Sequence, residues 1–144
     1  VLDSGKEDSM KKKGVFAIVL ALTLAIGCVY AAATATGNFS LTYGQWNRSS
    51  YAKLEASYPY AKYTAQSSGN STLRITLSQK NFLGLGFDNK DVKSISISGN
   101  NVSYAYFSKQ TKNKDYLITS VNTKVDSVAN AKYVLTSKST AGSV

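Results

Sequence analysis

Apolar and polar residues alternate in short runs after the first 35 residues of the chain. In residues 72–78, three aliphatic side chains occupy alternate positions and polar side chains lie between them. This period-two pattern is typical of a strand that buries one face. A second unit covers residues 92–107, where Ser98-Gly99-Asn100-Asn101 separates two alternating runs. Because Gly and Asn tolerate positive φ, the second unit predicts a β-hairpin.

Five further segments are enriched in β-branched and aromatic residues and predict weaker strands: residues 39–46, 58–65, 82–87, 116–121 and 132–137. Polar loops are expected at residues 66–71 and 108–114. Residues 50–57 contain good helix formers after a serine and predict a short helix, whereas residues 122–131 fit either a helix or a strand. The whole pattern predicts an all-β fold, a small antiparallel sandwich or barrel of about seven short strands.

The first 35 residues follow a different pattern. Residues 1–9 are polar, and Met10 and the three lysines after it begin a stretch that resembles a bacterial export signal. An apolar run follows from residue 15, and small residues close the stretch at residue 35. We therefore expect residues 1–9 to be an upstream translation, an extension or a cloning remnant, and residues 10–35 to be a signal peptide. Residues 36–144 are long enough for a single β-rich extracellular domain.

Three fates of the leader are open. Cleavage after Ala33-Thr34-Ala35 would release a secreted protein, which is the commoner arrangement. Residues 24–28 resemble the lipobox of bacterial lipoproteins, and lipidation of Cys28 would instead attach the protein to a membrane. The resemblance is incomplete because Ala25 occupies the usual leucine position. An uncleaved anchor is the third alternative, since residues 15–33 as a helix would span about 28 Å.

Composition narrows the chemistry of residues 36–144. This part holds 13 of the 17 Lys and Arg residues and five of the eight acids, so its net charge is +8. The chain has no histidine, and its single cysteine is Cys28. Catalytic triads, thiolate nucleophiles, disulfides and the usual zinc, copper and haem sites are therefore excluded from the domain. We expect a non-enzymatic protein without a metal or cofactor, while the sequence leaves the oligomeric state open.

Two remaining motifs are better explained by structure than by chemistry. Asp88 and Asp91 lie close together, but Lys90 stands between them and their spacing matches neither a glycosidase pair nor a calcium loop. Turn formation explains them with fewer assumptions. Gly84-Leu85-Gly86 lacks the rest of a phosphate-binding motif and indicates a bend within a strand.

Aromatic residues beside cations are the most suggestive feature. On a strand, Tyr58 and Tyr60 share one face, as do Tyr104 and Tyr106, and such pairs form flat platforms on which sugar rings or bases can stack. Neighbouring lysines would attract an anionic polymer. An ordinary sheet surface is the alternative, because tyrosine favours strands and lysine protects sheet edges. The candidate binding residues are Trp46, Arg48, Lys53, Tyr58, Tyr60, Lys62, Tyr63, Tyr104 and Tyr106.

These features together predict a small secreted protein that binds an anionic or glycan-rich surface of the cell envelope. The expected partners are an anionic polysaccharide, a teichoic acid or an anionic membrane surface, and nucleic acid is not expected. One alternative is an antimicrobial or toxin-like protein that acts on anionic membranes, although a basic amphipathic helix is missing from the sequence. Another is a matrix subunit that assembles through its strand edges.

Overall fold

The computed structural model of the chain describes residues 33–144. This part forms nine strands, and none of its residues belongs to a helix that could cross a membrane. The predicted signal peptide and the candidate lipidation site at Cys28 lie outside the described residues. The strands are β1 (Ala35–Thr42), β2 (Trp46–Arg48), β3 (Ala52–Leu54), β4 (Tyr58–Ala65), β5 (Ser68–Lys80), β6 (Phe87–Gly99), β7 (Val102–Tyr106), β8 (Lys114–Asn122) and β9 (Val128–Lys138).

The strands form two antiparallel sheets. The first sheet has the order β1-β9-β4-β7, and the second has the order β2-β8-β5-β6. β3 also pairs with β8, at residues 114–116, whereas β2 pairs with residues 119–121, so β2 and β3 together act as one interrupted edge strand. With β2 and β3 counted as one, the order is that of an eight-stranded jelly roll. The predicted antiparallel sandwich is thus confirmed, with nine strands instead of seven.

Side chains at alternate positions of both sheets build the core between them. The side chains of Pro59, Ala61, Tyr63 and Ala65 on β4 point inward. The predicted strand at residues 72–78 lies within the longer strand β5. Aliphatic side chains of β5, β6 and β8 meet this layer from the second sheet. Burial of apolar surface stabilises a sandwich by about 25 cal/mol per Å², so this layer is the main source of stability in a fold without disulfides.

Two buried hydrogen bonds connect the sheets across the core. The hydroxyl groups of Tyr63 on β4 and Ser120 on β8 lie 2.8 Å apart. At one end of the sandwich, Asn122 Nδ2 donates to the carbonyl oxygen of Leu41 on β1 at 3.0 Å and to that of Ser127 at 3.1 Å. Because each polar group has a partner, it can be buried without the penalty for an unpaired donor or acceptor.

The predicted hairpin over residues 92–107 is wrong. β6 pairs with β5, and β7 pairs with β4 in the other sheet, so the Ser98 to Asn101 turn carries the chain between sheets. The turn itself is present, with Gly99 at φ 54° and a hydrogen bond from Asn101 N to the Ser98 carbonyl oxygen. Turn residues determine the local backbone conformation, but they do not determine with which strand each flanking segment pairs.

Other boundaries also differ from the predictions. The helix expected at residues 50–57 is instead the short strand β3, because Ala52 and Leu54 are buried in the core and pairing with β8 overrides helix propensity. A turn with Gly44 at φ 77° divides the strand expected at residues 39–46 into β1 and β2. Residues 82–86 form an exposed loop before β6, and residues 123–127 form a turn before β9.

The bond between Tyr63 and Ser120 yields a stability prediction. We expect Tyr63→Phe to lower the free energy of unfolding by about 1–2 kcal/mol, because the Ser120 hydroxyl loses its partner in the core. The Tyr63→Phe/Ser120→Ala double variant should cost less than the two single variants added together. Urea unfolding of all four proteins measures this coupling. Strict additivity would show that the two hydroxyl groups do not interact.

Candidate functional site

The structure divides the nine candidate residues among three places. Five lie on the outer face of the first sheet, three lie on the outer side of the second sheet, and one lies in the core. They therefore form no single site. The first group is Tyr58, Tyr60, Lys62, Tyr104 and Tyr106, the second is Trp46, Arg48 and Lys53, and the buried residue is Tyr63.

The four tyrosines of the first group lie on one sheet surface, which we call the tyrosine face, and three of their rings contact one another. Tyr60 on β4 is paired directly with Tyr106 on β7, and their ring centroids are 6.1 Å apart. Tyr104 and Tyr106 stack at 5.7 Å with an angle of 11° between their planes, and Tyr104 lies 6.4 Å from Tyr60. All four tyrosines are half-buried, and Tyr60, Tyr104 and Tyr106 pack on one another. The cluster therefore presents aromatic surface that is already ordered.

Cations border the tyrosine face. Lys62 is exposed and lies between Tyr104 on β7 and Val134 on β9 in the sheet register. Lys138 Nζ lies 5.2 Å from the centroid of the Tyr106 ring, within the range of a cation–π contact. Tyr58 and Tyr106 also line a cleft of about 180 Å³, together with Lys138 and residues 141–142 of the C-terminal segment. The face thus combines flat rings with positive charge.

The second group is engaged in contacts of its own. The guanidinium carbon of Arg48 lies 4.5 Å from the centroid of the Phe87 ring, which stacks on Tyr51 at 5.4 Å. Lys80 Nζ lies 5.8 Å from the centroid of the Tyr51 ring. Leu117 also has its side chain on this outer face and is only 2% exposed. Arg48, Phe87, Tyr51 and Lys80 therefore form a chain of contacts on the outer side of the second sheet.

Trp46 and Lys53 lie at different points on the same sheet. Trp46 is 64% exposed on the edge strand β2. Lys53 lines a groove of about 470 Å³ with Lys80 and Lys114, and Asp115 contributes a carboxylate to it. Sequence reasoning missed Lys80, Lys114 and the stacking of Tyr51 on Phe87. Their grouping depends on strand pairing, and no local signal in the sequence predicts it.

Tyr63 is corrected from a binding residue to a core residue. Its side chain has no exposed surface, and its hydroxyl group is paired with Ser120. Burial raises the pKa of Tyr63 well above the ordinary tyrosine value, and the hydrogen bond with Ser120 offsets only part of this effect. Strand parity carried the signal: Tyr58 and Tyr60 face outward, so a residue at an odd spacing from them faces inward.

Of the two acids of β6, Asp91 makes hydrogen bonds that support the fold. Asp91 Oδ2 accepts a hydrogen bond from Ser108 N at 2.7 Å, and Asp91 Oδ1 accepts one from Val92 N at 2.8 Å. Burial alone would raise the pKa of Asp91, but these hydrogen bonds and nearby Lys93 outweigh it and hold the pKa below its usual value. Asp88 is exposed. Residues 33–144 contain no group of three side chains able to hold a metal ion.

Comparison with known proteins adds information on the fold alone. No protein-family model and no curated protein matches the chain. Tripeptidyl peptidase 2 matches 71% of this chain at 12% identity with a TM-score of 0.55, but only 9% of that peptidase is covered. A carbohydrate-binding module specific for non-crystalline cellulose matches 73% of this chain and 75% of its own, at 8% identity and a TM-score of 0.48. The Yersinia pseudotuberculosis-derived mitogen matches 76% of this chain and 89% of its own, at 14% identity and a TM-score of 0.47. The last two TM-scores are too low to carry an argument about ligands.

The contacts of Asp91 yield a pH prediction. Its folded-state pKa is lowered, so its carboxylate contributes stability above the unfolded value of about 4, and this stability is lost as the pH falls through the folded-state pKa. Asp91→Asn should lower the urea midpoint at neutral pH and flatten its fall in acid. Asp126→Asn, in the exposed turn before β9, is the matched control. Equal effects of both substitutions would contradict the prediction.

Proposed function

We propose that this protein is an exported, non-enzymatic binding module that attaches to a glycan of the cell envelope through its tyrosine face. The observation that carries the proposal is that Tyr58, Tyr60, Tyr104 and Tyr106 share one sheet surface. Three of these rings lie within 6.4 Å of one another. Contact with a polymer needs neither histidine nor cysteine, which residues 36–144 lack.

The geometry suits a flat ligand. Because alternate residues on β7 project from the same face, Tyr104 and Tyr106 stand side by side, and Tyr60 extends their surface onto β4. A sugar ring can place its C–H face against such a surface while its hydroxyl groups remain in water. The rings are held by mutual packing, so little side-chain entropy is lost when a ligand binds.

Charge favours an acidic glycan over a neutral one. Lys62 and Lys138 border the tyrosines, and Lys132 occupies the same outer face of β9. Acidic polysaccharides and teichoic acids carry repeated negative charges that several lysines can meet together. Arg48 on the second sheet already lies against Phe87, which makes that sheet the weaker candidate for glycan stacking.

Retention on purified wall polymers tests the proposal. Wild-type protein should bind insoluble wall that carries teichoic acid, and binding should weaken as salt is added. The Tyr60→Leu/Tyr104→Leu variant keeps apolar volume but removes two flat rings. At about 1 kcal/mol per ring, its affinity should fall roughly 30-fold at 25 °C. Lys62→Gln should weaken binding to acidic wall more than to wall stripped of teichoic acid.

Tyr43→Leu is the matched control, because Tyr43 is 58% exposed in the turn between β1 and β2 and lies outside the tyrosine face. This substitution should leave retention unchanged. Circular dichroism and urea unfolding check that each variant keeps its fold. Absence of salt-sensitive retention by the wild-type protein, or equal losses with Tyr43→Leu and the double variant, would overturn the proposal.

Export is a separate part of the proposal. Residues 10–35 resemble a signal peptide, and secretion after cleavage near Thr36 is the expected outcome. Intact mass of the protein from culture supernatant and from membranes measures this directly. A mature chain that begins near Thr36 supports secretion, a lipid mass on Cys28 supports the lipoprotein alternative, and an uncleaved chain recovered only from cytoplasm would contradict export.

A further inference from the structure

The loop between β5 and β6 exposes an unusual amount of apolar surface. Phe82 is 102% exposed, Leu85 86% and Leu83 73%. The sequence predicts a strand here, and a strand would bury part of this surface, whereas the loop projects all three side chains into solvent. Adjacent large apolar side chains on a protein surface usually mark an interaction site.

Internal hydrogen bonds hold the loop in this form. The Asn81 side-chain oxygen accepts the N–H groups of Leu85 at 3.1 Å and Gly86 at 3.3 Å. Asn81 N donates to the Gly86 carbonyl oxygen at 2.9 Å, and Gly84 N donates to the Asn81 carbonyl oxygen at 3.0 Å. Gly84 adopts φ 67°, a conformation that glycine accepts without strain. The apolar side chains are therefore presented by an ordered loop.

Lysines surround the base of this apolar tip. Lys53, Lys80 and Lys114 line the groove of about 470 Å³ together with Phe82 and Leu83, and Asp115 is the acid among them. The single ion pair in residues 33–144 joins Lys93 to Asp91 elsewhere on the surface. The three groove lysines thus carry positive charge that no carboxylate in the described residues pairs at ion-pair distance.

We propose that this loop and its lysines form a docking site for an anionic phospholipid bilayer. Phe82, Leu83 and Leu85 enter the boundary between headgroups and acyl chains, and the three lysines remain at the level of the lipid phosphates. Apolar side chains at the tip and cations behind them match the order of layers that a bilayer presents. The site lies on a different part of the domain from the tyrosine face and does not depend on glycan binding.

Charge and shape together select a bilayer as the occupant. A protein partner would need an apolar pocket for each exposed side chain, whereas a bilayer accepts apolar side chains without matching their shape. Each lysine close to an anionic membrane strengthens binding by about five-fold. The loop is ordered before contact, so insertion costs little additional conformational entropy.

A single-tryptophan design tests the site in the full chain. Trp46 is the only tryptophan, so the Trp46→Phe/Phe82→Trp variant moves the sole reporter to the loop. In vesicles of phosphatidylglycerol and phosphatidylcholine, we expect emission from this relocated tryptophan to shift to shorter wavelength and to be quenched by lipids with brominated acyl chains. Trp46 in the parent chain is the control. In the sheet register Trp46 aligns, through Val121, with Arg74 on β5, which lies about 20 Å along that strand from the loop. Residues 10–35 are shared by both proteins and cannot create this difference.

Neutralising variants test the charge. Lys53→Gln, Lys80→Gln and Lys114→Gln should each weaken vesicle binding about five-fold, and Lys124→Gln, exposed in the turn before β9, should not. Vesicles of phosphatidylcholine alone should bind more weakly. The proposal is overturned if the relocated tryptophan and Trp46 are quenched equally or if neither is quenched. It is also overturned if emission from the relocated tryptophan shifts with protein concentration when vesicles are absent, which would indicate a second copy as the occupant.

Discussion

The pleat of the β-strand is the constraint on which this molecule depends. Successive side chains on a strand point to opposite faces, so each residue committed to the core fixes the direction of its neighbours. On β4, the inward positions of Ala61 and Tyr63 place Tyr60 and Lys62 outside. The same rule on β7 turns Ala105 inward and exposes Tyr104 and Tyr106. The tyrosine face is therefore a direct consequence of how the core is packed.

The core holds without a covalent link between the sheets, since the only cysteine lies before the domain. Apolar burial supplies the stability, and the contact between Tyr63 and Ser120 joins the sheets by a buried polar bond. A polar contact outside the core also connects the sheets, because Asp91 on β6 accepts a hydrogen bond from Ser108, which follows β7. Tyr63 and Asp91, which were candidates for binding or acid chemistry in the sequence, thus make hydrogen bonds that support the fold.

Two such surfaces have different physical characters. The tyrosine face is flat, half-buried and bordered by cations such as Lys62, which suits a polymer that lies along a sheet. The loop with Phe82 projects from the end of β5 and is almost wholly exposed, which suits penetration of a soft layer. The glycan and the bilayer that we propose as partners would therefore contact separate surfaces of the domain.

The sequence by itself determined the all-β class, the bounds of β4 and the placement of Tyr58 and Tyr60 on one face of that strand, because these depend on alternation within one strand. It also determined the absence of imidazole and thiol chemistry from the domain. Only the tertiary structure decided that β6 and β7 join different sheets, that residues 52–54 form a strand and that residues 82–86 form an exposed loop. It likewise divided the candidate residues between two faces and the core. Partner choice between strands depends on contacts distant in sequence, which no local pattern of residues can encode.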